Sequence, residues 1–449
     1  MRTLFLAGGV LALASFAAPA LGDSSSREVQ SAVDAYLATA KADASLVGGA
    51  GQAGYDGGFW IRGGSFLMKI NLTLQTRWEG FDWDETATEP SPGGDLSGFS
   101  LPRATLKFSG DATCDVHYYA ELEFGHAGHY LTNDGYNAGF VGNLGLLNQQ
   151  TFEFGTPDYG TLREGWIEYE TSPYFIFRMG LVKTPTTRQL MTPPEMQQFV
   201  DISMASAVIG TTMPGYSDRN RDYGALMHGA FGCDGEFQYM LAITNGDGPV
   251  HRNVLDGETS DNFAGSARVN WDIKGHLGYE EGALRGHDCD WAASIGAWAH
   301  YYLDARQHNP FSKFADRLTW GADAAFGWGG FSMTAAYSAW DWQNDASGFE
   351  SDGFSYLIQA GYLFPGTAWE IAARYSAYEA NIGSNTFSEA TEIGVAVNYY
   401  IDGHADKVTL DVAMISSDSV NLFADTYAGY NASYDSDAIL VRLQWQLAL

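Results

Sequence analysis

Residues 391–416 alternate apolar and polar side chains along two arms, and this pattern constrains the fold more than any other feature of the chain. In the first arm, Ile393 and Val395 share one face while Glu392 and Asn398 share the other, as successive residues of a β-strand do. The second arm repeats the alternation after a turn rich in aspartate and glycine. A water-soluble β-sandwich and a membrane barrel both alternate in this way. A barrel also needs an unbroken ladder of such hairpins, because no strand edge can stay unpaired in lipid.

The same period-two pattern recurs along the chain and predicts about sixteen strands. In residues 66–81, Met68 and Leu72 fall on the apolar face, whereas Thr73 and Gln75 fall on the polar face. An even number of this size suits an outer-membrane barrel wide enough for an aqueous channel. The other candidate strands lie at residues 101–109, 117–124, 162–170, 175–183, 222–232, 237–245, 261–271, 290–303, 317–328, 330–342, 353–364, 368–379 and 436–449.

Long and short connections alternate between these strands. Long polar ones include residues 125–161 and 184–221, whereas short ones include residues 172–174 and 233–235. Bacterial barrels place long loops outside the cell and short turns in the periplasm, and a sandwich has no reason to keep this phase. We therefore predict an all-β fold, a transmembrane antiparallel β-barrel with long extracellular loops and short periplasmic turns. Residues 272–289 are the exception, an unusually long periplasmic turn.

The N-terminal region predicts export. Arg2 precedes an apolar stretch and a small-residue cleavage site, which together indicate a signal peptide over residues 1–22. The apolar stretch is too short, and too often broken by glycine and proline, to be a membrane anchor. Residues 23–58 are predicted to form a periplasmic helix followed by a flexible glycine-rich linker. The barrel domain is predicted over residues 59–449.

The charge of the chain excludes one class of partner. The chain has 54 acidic and 24 basic residues, and loss of Arg2 with the signal peptide leaves 23 minus 54, a net charge of −31. So acidic a protein is not expected to bind nucleic acid, because such binding depends on neutralising phosphates. The 26 phenylalanines, 25 tyrosines and 13 tryptophans suit the aromatic girdles of a membrane barrel.

No motif in the sequence predicts an enzyme, a metal site or a cofactor. Cys114, Cys233 and Cys289 are too scattered for a zinc module. Cys233 and Cys289 lie on neighbouring periplasmic connections, so they are the candidate disulfide of an exported protein. Nucleophile–base arrangements and the HExxH motif are absent from the sequence. We therefore predict a protein that is not an enzyme.

One set of segments occurs in a distinctive order: FSLPRATLKFSG, LREGWIEYE with YFIFRMGLVKTP, RDYGALMHG, YMLAITNGDG and NYYIDGHADKVTLD. In order and spacing they resemble the phosphate-selective porin O and P family, and the resemblance runs over residues 59–449. It implies a trimeric outer-membrane porin with sixteen strands, whose third long loop folds into the pore. It also implies anion selectivity from a lysine- and arginine-rich lumen. The acidic composition by itself would favour cations, but charges act locally. The mix of basic and acidic residues expected at the narrow part of the pore therefore predicts weak anion preference at most, without a tight phosphate site.

The third long connection, residues 184–221, is unusually apolar for a loop in water, since it carries Leu190, Phe199 and Val200 among several prolines. The position of the family's third loop favours a constriction folded into the lumen. The alternative is a cap that contacts a neighbouring subunit. The charged residues assigned to the constriction are Lys183, Arg188, Glu195, Asp201, Arg219 and Arg221.

Charged residues on the polar faces of the strands are the candidate pore-lining and selectivity residues. They are Lys69, Arg77, Arg103, Lys107, Arg178, Arg268, Arg374, Arg442, Glu121 and Glu123. One basic stripe is expected where the barrel closes, formed by Arg442, Lys69, Arg77, Arg103 and Lys107. An acidic patch is expected on the next two strands, formed by Glu121, Glu123, Glu164 and Glu168. Alternatively, these charges neutralise one another across strands and have no role in selectivity.

Together these patterns predict a porin of the outer membrane of a Gram-negative-type envelope. It is expected to contact outer-membrane lipid, to assemble as a homotrimer, and to let small hydrophilic solutes and ions diffuse passively through a water-filled channel. Anions such as phosphate are among the candidate solutes. The alternative is an exported all-β protein that binds glycans through its aromatic residues.

Overall fold

The structure, a computed structural model, describes residues 51–83, 96–125, 161–212, 220–246, 263–284, 290–303, 316–344, 349–382, 386–418 and 436–449. Most of these residues lie in β-strands. Within the described ranges, no helix has both the length and the apolar character needed to cross a membrane. The predicted signal peptide and the predicted periplasmic helix lie outside the described residues.

Sixteen antiparallel strands form one closed barrel, as the alternation predicts. Each strand pairs with the next along the chain, and the last strand pairs with the first of the sixteen through residues 438–448 and 73–83. Two shorter strands, β1 (Gln52–Tyr55) and β2 (Phe59–Gly63), precede the barrel. The barrel strands are β3 (Phe66–Trp83), β4 (Leu96–Asp111), β5 (Val116–Glu123), β6 (Thr161–Ser172), β7 (Phe175–Lys183), β8 (Arg221–Phe231), β9 (Phe237–Thr244), β10 (Phe263–Lys274), β11 (Ala292–Leu303), β12 (Asp316–Trp328), β13 (Phe331–Asn344), β14 (Phe349–Leu363), β15 (Trp369–Ile382), β16 (Thr386–Asp402), β17 (Asp406–Asp418) and β18 (Ser436–Ala448).

The hairpin of β1 and β2 corrects the prediction of a flexible linker through residue 58. Residues 52–55 pair with residues 59–62, and Gly57 adopts a positive φ of 59° in the turn between them. A glycine tolerates this left-handed conformation at no steric cost. The glycines that suggested flexibility in the sequence therefore build a tight turn instead.

β2 also extends the barrel wall. It pairs with the periplasmic end of β3, from Phe59 opposite Ile70 to Gly63 opposite Phe66. β18 pairs with the rest of the same edge of β3. The chain end joins the two regions, because Leu449 O accepts a hydrogen bond of 2.7 Å from the Asn71 side chain. The hairpin therefore covers the part of the β3 edge that the last strand leaves unpaired.

The two faces of the wall have opposite character. On β16 and β17, Ile393 and Met414 are 55% and 59% exposed, whereas Glu392 and Asp411 are at most 1% exposed. The outward apolar band suits hydrocarbon, and the inward polar face requires partners inside the barrel. This is the division of faces that the opening hairpin predicts.

Aromatic rings lie on the outer surface near the short turns. Tyr174 stacks on Phe231 with ring centroids 5.5 Å apart, beside the turns that follow β6 and β8. Trp369 and Tyr399, near the turn after β14, have centroids 4.7 Å apart. Rings of this kind suit the level of the lipid headgroups, because they are apolar with a polar edge.

Residues 184–212, which follow β7, fold into the barrel, and we call them the inner segment. They contain helix α1 (Arg188–Met191), a 3₁₀ turn (Pro194–Met196) and helix α2 (Met204–Thr212). The hydroxyl of Thr187 caps α1 by accepting from the backbone N–H of Leu190 at 3.3 Å.

The apolar core lies between the inner segment and one side of the wall, where α2 contacts β14 and β15. The main apolar residues of this core are Leu190, Ile202, Val208 and Ile209 from the inner segment and Trp298, Trp340, Tyr378, Ile415 and Leu440 from the wall. The apolar residues that make this loop unusual in sequence are thus buried inside the barrel.

Candidate functional site

Asp201 fixes the middle of the inner segment to the barrel wall. Its carboxylate lies 3.4 Å from Arg103 Nη2 on β4 and 3.8 Å from Arg77 Nη2 on β3. On the other side, Arg374 of β15 donates to the Asp201 backbone carbonyl at 2.9 Å. The guanidinium of Arg374 also lies 4.1 Å from the centre of the Phe199 ring. Three predicted pore residues therefore hold the inner segment in place.

Two arginines of β15 and β18 are neutralised by carboxylates of the neighbouring strands. Arg374 pairs with Glu392 at 2.5 Å, and Arg442 pairs with Asp411 at 2.7 Å. All four side chains are at most 1% exposed. Their charges are thus balanced where they lie, as the alternative of mutual neutralisation expects.

A third buried pair joins the strands to the start of the inner segment. Arg268 on β10 binds both carboxylate oxygens of Asp323 on β12, each at 2.7 Å. Arg268 also donates to the Thr186 carbonyl at 2.6 Å, and Asp323 accepts from the Arg188 backbone N–H at 3.0 Å. This pair therefore anchors the first residues of the inner segment.

The opposite side of the lumen carries charged side chains that solvent reaches. Lys107 on β4 pairs with Glu195 of the inner segment, and these side chains are 16% and 15% exposed. On β6 to β8, Glu168 accepts from Arg178 at 2.7 Å and from His228 at 2.9 Å. Arg178 and His228 are 20% and 21% exposed. These charged side chains are partly exposed, whereas those of Arg374 and Arg442 are buried.

Glu195 is charged in this setting. Burial alone would raise the pKa of its carboxyl, but the ammonium of Lys107 and its hydrogen bond outweigh that effect and leave the pKa lowered. The Glu195 backbone carbonyl accepts a further hydrogen bond of 2.9 Å from Gln446 on β18. An ionised, partly accessible carboxylate therefore faces the wall at this point of the inner segment.

The predicted acidic patch includes basic partners. Glu121 lies 3.1 Å from Arg163 Nη1, and Glu123 lies 3.7 Å from the same atom. Glu164 pairs with Arg221 at 3.1 Å. A change of register at Glu121 in the pairing of β5 with β6 accompanies the burial of both Arg163 and Glu164, although they are consecutive residues. Period-two reasoning assigns consecutive residues to opposite faces, so it missed Arg163.

The other predicted residues have varied positions. Lys69 is exposed near the periplasmic end of β3, Lys183 donates to the Met191 carbonyl at 3.1 Å, and the Arg188 guanidinium donates to the Gly278 carbonyl. Arg219 and Cys289 lie outside the described residues. Cys233 is exposed, and its bond to Cys289 stays a prediction.

Sequence reasoning also missed the acids that hold the inner segment. Asp411 accepts from the Val200 backbone N–H at 3.1 Å, and Glu392 accepts from the Met204 backbone N–H at 3.0 Å. The sequence did contain a signal for them, since each is a lone acid at an inward period-two position of a strand. Among the described residues, no group of histidine, cysteine, aspartate or glutamate side chains is arranged to hold a metal ion.

A model of the phosphate-selective porin O and P family matches residues 70–447 of the chain. That range includes all sixteen barrel strands apart from the first residues of β3 and the last of β18. A sequence comparison with curated proteins gives no match.

Solved structures share the fold at low sequence identity. An anion-selective porin from Comamonas acidovorans is 12% identical, with a TM-score of 0.55 over 85% of this chain and 99% of its own. OmpF of Salmonella typhi, in complex with daunomycin, is 9% identical, with a TM-score of 0.52 over 88% of this chain and 100% of its own. OmpT of Vibrio cholerae is 9% identical, with a TM-score of 0.51 over 86% of this chain and 99% of its own. These likenesses show the fold alone.

Proposed function

The chain belongs to the phosphate-selective porin O and P family, and from this premise we propose that solutes pass between the inner segment and the wall formed by β4 to β8. The protein is a porin that forms an outer-membrane channel for passive diffusion of solutes. The observation that carries the proposed route is the difference in exposure across the lumen. Lys107, Arg178 and His228 are 16–21% exposed, whereas Arg374 and Arg442 are fully buried.

The charges along this route support weak discrimination between ions. Lys107 faces Glu195, and Glu168 lies between Arg178 and His228. Fields of such close pairs cancel within a Debye length of about 8 Å, so neither sign of ion gains a continuous path. We therefore infer a passage for small, dipolar hydrophilic solutes with weak anion preference at most, and without a tight phosphate site.

We propose that the inner segment is the constriction of the channel. It crosses the lumen from contacts with β3 and β4 to contacts with β15, and its Glu195 reaches the accessible side. The alternative of a cap on a neighbouring subunit does not explain why Asp201 and Leu190 are buried within the same barrel. The alternative of a glycan-binding protein in water does not explain the outward apolar band.

Three further proposals rest on the sequence and on the family. Residues 1–22 are a signal peptide that is removed on export. Residues 23–50 precede the barrel in the periplasm, and the barrel domain begins with the β1–β2 hairpin. The subunits form a homotrimer, as the family resemblance implies. Contact with lipid through the apolar exterior follows from the outer-membrane location.

A charge reversal at Lys107 tests the proposed route. The Lys107→Glu variant would face Glu195 with a second carboxylate, so the reversal potential across a salt gradient in a planar bilayer should move toward cations. Glu195→Gln should move it the opposite way. Wild-type chloride current should not be blocked by micromolar phosphate.

Glu236→Lys is the matched control, because Glu236 lies in the exposed periplasmic turn between β8 and β9. It changes the net charge by the same amount as Lys107→Glu, with the opposite sign, and it does so away from the lumen. An unchanged reversal potential in Lys107→Glu would overturn the proposed route, and saturable block by micromolar phosphate would show a tight phosphate site.

A further inference from the structure

The connection between β10 and β11 is the long periplasmic turn that stands out in the sequence. The structure describes its residues 275–284, and these fold back into the barrel toward the inner segment. Tyr279 Oη accepts a hydrogen bond of 2.9 Å from Arg268 Nε. The Gly278 carbonyl accepts from the guanidinium of Arg188 in α1. A segment that starts on the periplasmic side thus meets a loop that starts on the extracellular side.

Glu281 is the centre of this meeting. Its backbone N–H donates to the Met196 carbonyl at 2.9 Å. Its carboxylate accepts from the Gln198 backbone N–H at 2.9 Å and from Gln189 Nε2 at 2.8 Å. It also accepts from Gln359 Nε2 of β14 at 2.9 Å. The Glu281 side chain therefore joins helix α1 and the residue Gln198, which lies just after the 3₁₀ turn, to the barrel wall.

Neighbouring contacts keep this connection aligned. The Ala283 backbone N–H donates to Glu370 of β15 at 2.9 Å, and Gln198 Nε2 donates to the same carboxylate at 2.9 Å. The ring of His404, in the turn between β16 and β17, lies 3.0 Å from the Glu281 carbonyl oxygen. The position of Glu281 is therefore fixed from the wall and from a second periplasmic turn.

The side chain of Glu281 does not reach the proposed route of solutes, since only 4% of it is exposed. Glu281 acts on Glu195 indirectly. Its backbone N–H binds the carbonyl of Met196, which directly follows Glu195. Glu195 pairs with Lys107 at the accessible side of the lumen. Loss of the Glu281 carboxylate would leave three buried N–H donors without their acceptor and would release this part of the inner segment.

We infer that Glu281 is a positioning residue that holds the constriction from the periplasmic side. It fixes the place of Glu195 and thereby sets the conductance and the ion preference without contacting the solute. The inference rests on the proposed role of the inner segment as the constriction. A periplasmic turn and an extracellular loop thus build the narrow part of the channel together.

Single-channel recordings of the full-length protein test this inference. Glu281→Ala should give unsteady currents with added conductance levels, and its reversal potential should move toward anions, because Lys107 loses its partner. The shift should have the sign of that in Glu195→Gln and should not exceed it. Glu281→Gln keeps the volume and one acceptor oxygen, so its effects should be smaller. In the double variant Glu281→Ala/Glu195→Gln, the reversal potential should equal that of Glu195→Gln alone.

Glu236→Gln, in another periplasmic turn, is the control and should record like the wild type. The folded band on semi-native gels confirms for each variant that the barrel has formed. Steady wild-type currents in a folded Glu281→Ala variant, or additive shifts in the double variant, would overturn the inference. A wrong solute route would give a different result. In that case Lys107→Glu would leave the reversal potential unchanged, while the currents of Glu281→Ala would still be unsteady.

Discussion

Two carboxylates of the wall each join the inner segment to the barrel. Asp411 binds the guanidinium of Arg442 and also accepts from the Val200 backbone N–H. Glu392 binds Arg374 and accepts from the Met204 backbone N–H. Buried charges are tolerated when partners replace water, and here the inner segment supplies one backbone donor to each carboxylate. The same residues that balance charge therefore also hold the inner segment.

The imidazole of His404 predicts a loss of stability in acid. Burial, and then the nearby ammonium of Lys407, lower the pKa of His404 to about 3. In an unfolded chain the pKa of histidine is about 6.5, so the unfolded state binds the extra proton first as the pH falls. The contribution of His404 to the free energy of unfolding should therefore decrease as the pH falls from about 6.5 to 3, by at most a few kcal/mol, and should not change above this range.

The measurement is the temperature at which the folded band disappears on semi-native gels, compared at about pH 7 and about pH 5, above the usual carboxyl range. His404→Gln preserves an N–H donor for the Glu281 carbonyl but cannot titrate. The wild type should lose more stability than this variant on acidification. Equal losses in the two proteins would mean that His404 does not stay neutral in the turn.

At the scale of elements, the strands were predictable and the interior was not. Period-two alternation placed Ile393 outside and Asn398 inside without reference to any other strand. It failed where the backbone departs from regular pairing, as at the register change that buries Arg163 next to Glu164. It also gave no signal for residues 275–284, because their mix of glycine, apolar and charged residues has no period-two pattern.

The residues that hold the inner segment form ion pairs with residues far away in the sequence, so the sequence alone does not identify them. The sequence shows that Asp201 is acidic and that Arg77 and Arg103 are basic, but only the closed barrel brings the Asp201 carboxylate within 4 Å of both guanidinium groups. The apolar character of the loop, in contrast, was a local signal, and it predicted that this loop avoids water. Burial was therefore easier to predict than partners.

A double charge reversal tests how the inner segment is held. In Arg77→Glu/Arg103→Glu, two new carboxylates would face Asp201, so the middle of the inner segment should leave the wall. Breaking buried pairs of this kind costs about 3–5 kcal/mol. Single-channel conductance should rise, the reversal potential should move toward cations, and the folded band should be lost at a lower temperature.

Arg77→Lys/Arg103→Lys is the control for this change, because it keeps both charges near Asp201 and should alter conductance less. Unchanged conductance in the glutamate variant, with the folded band retained, would show that Asp201 is not needed to hold the constriction. A shift of the reversal potential alone would instead indicate that both positions line the path of ions.

For the whole molecule, closure of the barrel and order in its interior depend on different parts of the chain. Strands β3 to β18 close the wall through the pairing of the last strand with the first. The inner segment packs against β14 and β15 inside the barrel, and Glu281 joins residues 275–284 to it. We therefore expect the wall to stay closed when the interior is disturbed, so conductance and thermal stability report on different parts of the chain.

The N-terminal boundary of the barrel gives the last prediction. The sequence alone placed residues 23–58 outside the barrel, but β1 begins at Gln52 and its hairpin covers the edge of β3. A variant that lacks residues 23–50 should therefore keep the folded band and the wild-type conductance.

A variant that lacks residues 23–63 should still close its barrel through β18, but it loses the pairing of residues 66–70 with β2. Each net hydrogen bond is worth about 0.5–1.5 kcal/mol, so this variant should unfold at a lower temperature on semi-native gels. Equal unfolding temperatures for both variants would show that the hairpin adds nothing to the wall, and loss of the folded band in the shorter deletion would place residues 23–50 within the barrel.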